Sequence, residues 1–172
     1  MFLVGEKVSL RALEPTDLDF IYSWENDPNV WEVSHTLVPF SKFVLTQYLK
    51  NQHLDIYTSK QLRLVVMDEK SMAVGLIDLF DFDPKNKKAG VGILIDINFR
   101  KKGFAKEALE LLEDYCFNHL DLNQIYANIV VDNLISKKLF EDLGYQKVGV
   151  KKDWIKTNKG YVSEVLYQKI SD

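Results

Sequence analysis

Val91-Gly92-Ile93-Leu94-Ile95, then Asp96-Ile97-Asn98-Phe99, then Arg100-Lys101-Lys102-Gly103-Phe104-Ala105, is the stretch whose reading decides the fold. Its first five residues are almost wholly apolar, as in a strand buried on both faces. A short polar turn follows. From there the apolar positions Phe104, Ala108, Leu111, Leu112, Tyr115 and Cys116 recur at helical spacing as far as Leu120. Lys106, Glu107, Glu110, Glu113 and Asp114 fall mostly on the other side. A buried strand thus passes through a basic, glycine-containing turn into a helix N-terminus. The first N–H groups of a helix have no partner within it, and the macrodipole favours an anion there. Arg100, Lys101 and Lys102, directly before that end, point to a phosphate-bearing ligand. The turn alone fits an ordinary solvated crossover equally well.

Upstream, Val8-Ser9-Leu10-Arg11-Ala12-Leu13 alternates as a half-buried strand. Glu14-Pro15-Thr16-Asp17 starts a helix that carries Leu18, Ile21, Tyr22 and Trp24 inward and stops near Asn26-Asp27-Pro28. Asn29 to Pro39 reads as an irregular, aromatic loop. Ser41 is the N-cap of a second helix through Gln52, with Val44, Tyr48 and Leu49 inward. Strands at Gln61 to Met67 and Met72 to Phe82 are separated by Asp68-Glu69-Lys70-Ser71, and Asp83 to Lys88 turns into the central strand. Downstream come a β-branched strand, Gln124 to Val131, and a helix, Leu134 to Leu143, stopped by Gly144. Two strands close the chain, Gln146 to Lys152 and Val162 to Lys169. Only the crossovers through helices need be parallel. The expected architecture is α+β, a mixed sheet of about seven strands with helices on its faces.

At 172 residues the chain reads as one domain, and its 47 % hydrophobic and 27 % charged residues are ordinary for a globular protein. A net charge of −3 leaves no basic footprint for nucleic acid, and no apolar run is long enough for a membrane span. Cys116, the single cysteine, reads as an inert core thiol. Met1-Phe2-Leu3-Val4, interrupted by Gly5-Glu6-Lys7, does not read as a secretory leader, so a reducing cytoplasm is the expected location. No metal site is expected, and a homo-oligomer is admitted without its size being fixed.

Asp132-Asn133 marks the second half of a candidate site, where a strand turns into a helix. Asn133, Ser136 and Phe140 share one helical stripe, and Ile135, Leu139 and Leu143 another. The first is expected to face a cleft and the second the core. Asn133 also has the chemistry of a plain N-cap.

These residues carry a resemblance. Arg100-Lys101-Lys102-Gly103-Phe104-Ala105 resembles the acyl-coenzyme A pyrophosphate motif of the GNAT superfamily of N-acetyltransferases, Gln/Arg-x-x-Gly-x-Gly/Ala after a central strand. Asn133-x-x-Ser136-x-x-x-Phe140-x-x-x-Gly144-Tyr145 resembles that family's downstream motif at the expected separation. Leu10 to Leu18 looks like the branch holding ribosomal-protein alanine acetyltransferases and bacterial spermidine/diamine acetyltransferases. The resemblance implies a single GNAT-like domain over residues 1–172, splayed at the cofactor strand near a bulge at Gly90 to Gly92. It implies acetyl transfer from acetyl-CoA to a primary amine, either a small amine or polyamine, or a protein N-terminus. Amides of residues 101 to 106 (Lys101, Lys102, Gly103, Phe104, Ala105, Lys106) would cradle the pyrophosphate beside Arg100. The strand edge at Ile93, Leu94 and Ile95 would pair with the pantetheine arm, a backbone N–H such as that of Ile95 would stabilise the oxyanion, and Asn133, Ser136 and Phe140 would line the arm.

Two positions depart from the pattern. Phe140 stands where many relatives have a tyrosine that protonates the leaving thiolate, and Gly90 where relatives often have glutamate. Asp78 is then the first candidate to take the amine proton, with Asp81, Glu32 and His35 behind it. The loop Ser34 to Ser41 lacks the acids of polyamine-acetylating relatives. Glu25, Asp27 and Glu32, with His35, Asp153 and Trp154, are the remaining candidates to hold an acceptor, beside the aromatics Trp31 and Phe40. A non-catalytic acyl-CoA module is the alternative that Phe140 and Gly90 leave open. A Rossmann-type nucleotide binder fits worst, because the G-x-G-x-x-G spacing is missing.

Overall fold

The computed structural model describes residues 3–34 and 36–171, with the backbone alone at 32–34. Seven strands form one sheet: β1 (Val8–Ala12), β2 (Leu62–Asp68), β3 (Ala73–Asp83), β4 (Lys88–Ile95), β5 (Gln124–Val130), β6 (Gln146–Thr157) and β7 (Gly160–Ile170). Their order is β1-β2-β3-β4-β5-β7-β6. Every neighbouring pair is antiparallel except β4–β5, the pair joined by a helical crossover. Among the described residues six α-helices accompany it: α1 (Leu18–Glu25), α2 (Pro28–Ser34), α3 (Lys42–Lys50), α4 (Ile56–Ser59), α5 (Phe104–Asp114) and α6 (Leu134–Asp142).

Alternation along the strands sends side chains into two cores. Leu64 and Val66 join Ala108, Leu109 and Leu112 of α5 and Phe140 of α6 on one face. Val65 and Leu76 join Ile21 of α1 and Leu45 and Leu49 of α3 on the other. The second core is small and lies over β2 and β3 only.

The structure corrects several expectations. Asn29 to Pro39 is not wholly irregular: Pro28 opens α2 at the position where its missing N–H costs nothing, and the Asp27 carboxylate accepts the Asn29 N–H at 2.9 Å. The Asp-Pro pair read as a stop is also a start. Tyr22 and Val44, expected inward, are exposed, and Leu45 takes the inward position on α3. Ser41 caps α3 as expected, accepting the Val44 N–H at 3.1 Å. Glu113, expected in solvent, is buried with its carboxylate 2.5 Å from the Lys169 ammonium. Burial pushes that carboxyl above its ordinary range, against the pull of Lys169. Cys116 lies buried in a wide helical turn, Tyr115–His119, that extends α5, and burial pushes its thiol up to about 12, so it stays protonated. No described helix is long and apolar enough to cross a membrane.

The entry to α1 is tied to β1 by one carboxylate. Asp17 accepts two bonds from Arg11, at 2.7 and 2.9 Å, and one from the Glu14 N–H at 2.7 Å. Burial alone would raise its pKa, but the Arg11 and Glu14 bonds outweigh it and hold the carboxyl below its ordinary value. A depressed folded pKa gives stability that is present above the unfolded value of about 3.9 and is lost as pH falls through the folded one. Asp17→Asn should therefore cost about 2 kcal/mol at pH 7. The gap between variant and parent should close as the pH is lowered below about 4, read by thermal melts across pH. A gap independent of pH would assign the cost to packing instead.

Candidate active site

β4 and β5 are bonded over three residue pairs only, Lys88 with Gln124, Ala89 with Ile125 and Gly90 with Tyr126. Beyond Gly90, β4 stays paired to β3 and beyond Tyr126, β5 stays paired to β7, so the two strands part. The expected splay is present. The bulge is not on β4: Phe80 faces Gly90 while Asp83 faces Lys88, so the extra residue is on β3, where Asp81 has φ 48°. The Asp96 N–H donates to the Val74 carbonyl at 2.9 Å. By two-residue alternation Leu94 and Gly92 also direct their backbone groups at β3, Val91 closes the pairing with β5, and Ile93 and Ile95 direct theirs at the open edge. Ile93 and Ile95 therefore fit an added strand of ligand amides, and Leu94, expected with them, does not. Arg100 Nε bonds the Ile95 carbonyl at 3.1 Å, which leaves the Ile95 N–H to the cleft.

The basic turn is built to expose amides. Lys101 has φ 63°, and Gly103, the N-cap of α5, has φ 83°. No side chain caps α5, and the amides of Phe104, Ala105 and Lys106 precede the first intrahelical bond, from Glu107 to Gly103 at 3.2 Å. Lys102 lies over the Phe99 and Phe104 rings, at 5.0 and 5.9 Å. One cation escaped sequence reasoning. Lys7, from the start of the chain, brings its ammonium to 3.5 Å from where a Gly103 side chain would begin. It is held there because the Glu107 carboxylate accepts the N–H groups of Glu6, at 2.5 Å, and Lys7, at 3.0 and 3.1 Å.

Asn133 caps α6, its Oδ1 accepting the Ser136 N–H at 3.1 Å, and its NH2 has no partner among the described residues. Ser136 is half-buried. Phe140, expected on the cleft-facing stripe, is only 3 % exposed and packs edge-on against Tyr145, centroids 4.8 Å apart. Ile135, expected in the core, is exposed. The helix is rotated so that Leu139, Phe140 and Leu143 face inward together, and the Phe140 ring belongs to the core.

The sheet face opposite α5 holds the remaining polar groups. Arg63, Asp78 and Gly92 lie in one row across β2, β3 and β4. Arg63 grips the Asp78 carboxylate with Nε at 2.5 Å and Nη2 at 3.3 Å, and Glu25 of α1 with Nη1 at 2.6 Å. These side chains are 27 % (Arg63), 27 % (Asp78) and 13 % (Glu25) exposed. Burial opposes the guanidinium charge, but the two carboxylates hold its pKa above the ordinary value. Asp78 Oδ2 is 4.0 Å from where a Gly92 side chain would begin, so this carboxylate lies beside β4 where it leaves β5. Asp78 is thus at the cleft but already paired, which suits holding a cation better than accepting a proton outright. Across the gap, Lys151 of β6 bonds Asn128 of β5 at 3.1 Å and Glu164 of β7 at 2.5 Å, and lies over the Trp154 ring at 5.0 Å. Trp154 and Asp153 are exposed on the bulged part of β6. Asp81 is exposed and perturbs Tyr126, whose phenol pKa burial and then Asp81 raise. His35 and the Glu32 side chain lie outside the described residues. Arg63, Asn128, Lys151 and Glu164 were missed by motif reading. A charged residue inside an apolar strand run was the available signal at Arg63 and Glu164.

Gly90 has a structural reason. The Phe80 ring lies on it, and a side chain there would run into that ring. Phe80 in turn meets Tyr126 edge-on at 5.8 Å, and the two rings close the base of the splay. The space of a glutamate is filled.

A family model described as an acetyltransferase (GNAT) domain matches residues 7–146. A spermidine N(1)-acetyltransferase from Vibrio cholerae is 30 % identical over 146 residues, covering 85 % of this chain and 83 % of that protein. A crystal structure of a spermidine N-acetyltransferase from Vibrio cholerae in complex with CoA and spermine superposes with a TM-score of 0.88 at 28 % identity, covering 96 % of both chains. A structure of a spermidine N-acetyltransferase from that organism described as dodecameric gives 0.80 at 26 % identity, covering 96 % and 95 %.

Gly90→Ala should destabilise the fold by about 1–3 kcal/mol through overpacking against Phe80. In the double variant Phe80→Ala/Gly90→Ala the second change should cost little beyond Phe80→Ala alone. Additive losses in chemical denaturation would separate the two positions.

Proposed function

Since the chain belongs to the GNAT acetyltransferase family and transfers acetyl groups from acetyl-CoA to amines, we propose that its acceptor is a small cationic primary amine, taken up on the sheet face that carries Asp78. The parting of β4 from β5 with Asp78 opposite Gly92 carries this reading. It brings a carboxylate beside a backbone edge, that of Ile93 and Ile95, which can pair with a pantetheine arm. Two carboxylates against one guanidinium leave the Glu25–Arg63–Asp78 cluster with a formal charge of −1, which favours a cation. The Vibrio cholerae relative in complex with spermine points the same way. A reducing cytoplasm suits the single buried thiol. Apolar Val148, Val150 and Tyr161, exposed on β6 and β7, support a homo-oligomer.

Acetyl-CoA supplies the activated acyl carbon, and the residues do the rest. The helix N-terminus at Phe104 to Lys106, with Lys101 and Lys7, holds the pyrophosphate. Ile93 and the Asn133 NH2 hold the pantetheine arm, and the N–H of Ile95 meets charge growing on the acyl oxygen. An amine with a pKa of about 10.4 is protonated at neutral pH and has no lone pair to attack with. Asp78 anchors that ammonium while its proton passes to water. Phe140 supplies no acid to the departing sulfur, because its ring carries none and is buried.

Two measurements test this. Gly103→Val forces a β-branched residue to φ 83° and crowds the amides. Calorimetry should show coenzyme A affinity weakened by at least about tenfold, ~1.4 kcal/mol, and an unchanged affinity would move the pyrophosphate elsewhere. Asp78→Asn should lower kcat/KM for a diamine at pH 7 by roughly tenfold to a hundredfold, with the deficit shrinking as pH rises and free amine accumulates. A deficit constant with pH, or higher turnover of an alanyl peptide than of any small amine, would replace this acceptor with a protein N-terminus or remove Asp78 from proton handling.

A further inference from the structure

Arg63 is an intramolecular cation standing where a ligand cation could stand. Its guanidinium bridges the two carboxylates of the acceptor face, Glu25 at 2.6 Å and Asp78 at 2.5 Å, and both are largely withdrawn from solvent. The Tyr48 ring lies 5.7 Å from it, a second attraction for positive charge. Arg63 also lines a cavity of about 450 Å³ with Tyr48, Gln52 and Asp55. The residue that joins the two carboxylates therefore also borders open space and an aromatic ring.

We propose that Arg63 is a specificity-determining residue, which fills the second cation position of the acceptor site and so restricts acceptors to a single ammonium near Asp78. This rests on the acceptor being a small cationic amine. With Arg63 in place the cluster carries −1 and attracts one positive charge; without it the cluster carries −2 and holds two. The consequence is a preference among amines. The parent should discriminate weakly between a monoamine and a diamine of equal length, because the second ammonium finds a guanidinium in its position. Losing the guanidinium should make the second ammonium an advantage.

The test compares butylamine with 1,4-diaminobutane on the parent, Arg63→Met and Arg63→Lys, following thiol release. Arg63→Met should raise the diamine-to-monoamine ratio of kcat/KM about tenfold or more, mainly through a lower diamine KM, while Arg63→Lys, which keeps the charge, should leave the ratio near that of the parent. Calorimetric titration of 1,4-diaminobutane into the coenzyme A-loaded proteins reads the same position without turnover. A parent that acetylates neither amine would sink the acceptor reading alone, since tighter diamine binding to Arg63→Met would still stand. Unchanged diamine affinity in a folded Arg63→Met protein, or an equal gain in Arg63→Lys, overturns the proposal. Should Arg63→Met fail to fold, Glu25→Gln supplies the opposite test: it neutralises the cluster with Arg63 retained. Butylamine KM should then rise about tenfold, and an unmoved KM overturns the proposal.

Discussion

Three residue pairs of parallel sheet are all that join the two halves of this molecule through β4 and β5. Had the pairing continued, the backbone of Ile93 and Ile95 would be spent on β5 and the sheet would be an ordinary one. Its early end leaves peptide groups without partners in the middle of a sheet. Such groups are tolerated only where water or a ligand can reach them. The rings of Phe80 and Tyr126 close the base of the gap, and α5 starts at its mouth. The proposed cofactor edge, anion-binding turn and acceptor face all take their positions from that divergence.

The cation-handling side obeys a different constraint. Charged side chains on a sheet face that is partly covered by α1 and α3 need partners, and each carboxylate there has one: Glu25 and Asp78 on Arg63, Glu164 on Lys151. A paired carboxylate is held in place, which suits an anchor. The family's glutamate position is taken by glycine, and no unpaired acid replaces it at the gap among the described residues. On the proposed reading solvent water would be the terminal proton acceptor, and the rate would depend on how much amine is already neutral.

Local patterns made most of the fold legible. The strand, basic turn and helix from Val91 onward, the Ser41 cap, the αL stop at Gly144 and all seven strands follow from periodicity and capping chemistry within a few residues of each other. Failures came where the decisive contact was distant in sequence. Phe140 looked free to face a cleft because a nine-residue helix with leucine, serine and lysine around it admits more than one rotation, and packing into the core shared with the sheet and α5 selects one. Glu113 looked solvated because its partner, Lys169, is 56 residues away. Arg63 was passed over as one charge in an apolar strand, and its two carboxylates come from a helix and the neighbouring strand. Asp78 was found at its place by topology, but its pairing could not be read from order alone.

The contact between Phe80 and Gly90 also bears on how such a site can change over generations. With phenylalanine at 80, a carboxylate arriving at 90 meets a ring already packed on β4 and against Tyr126. A smaller residue at 80, on the strand beside β4, would open that space. The two positions are thus epistatically coupled, by one aromatic side chain rather than by the chemistry of acyl transfer.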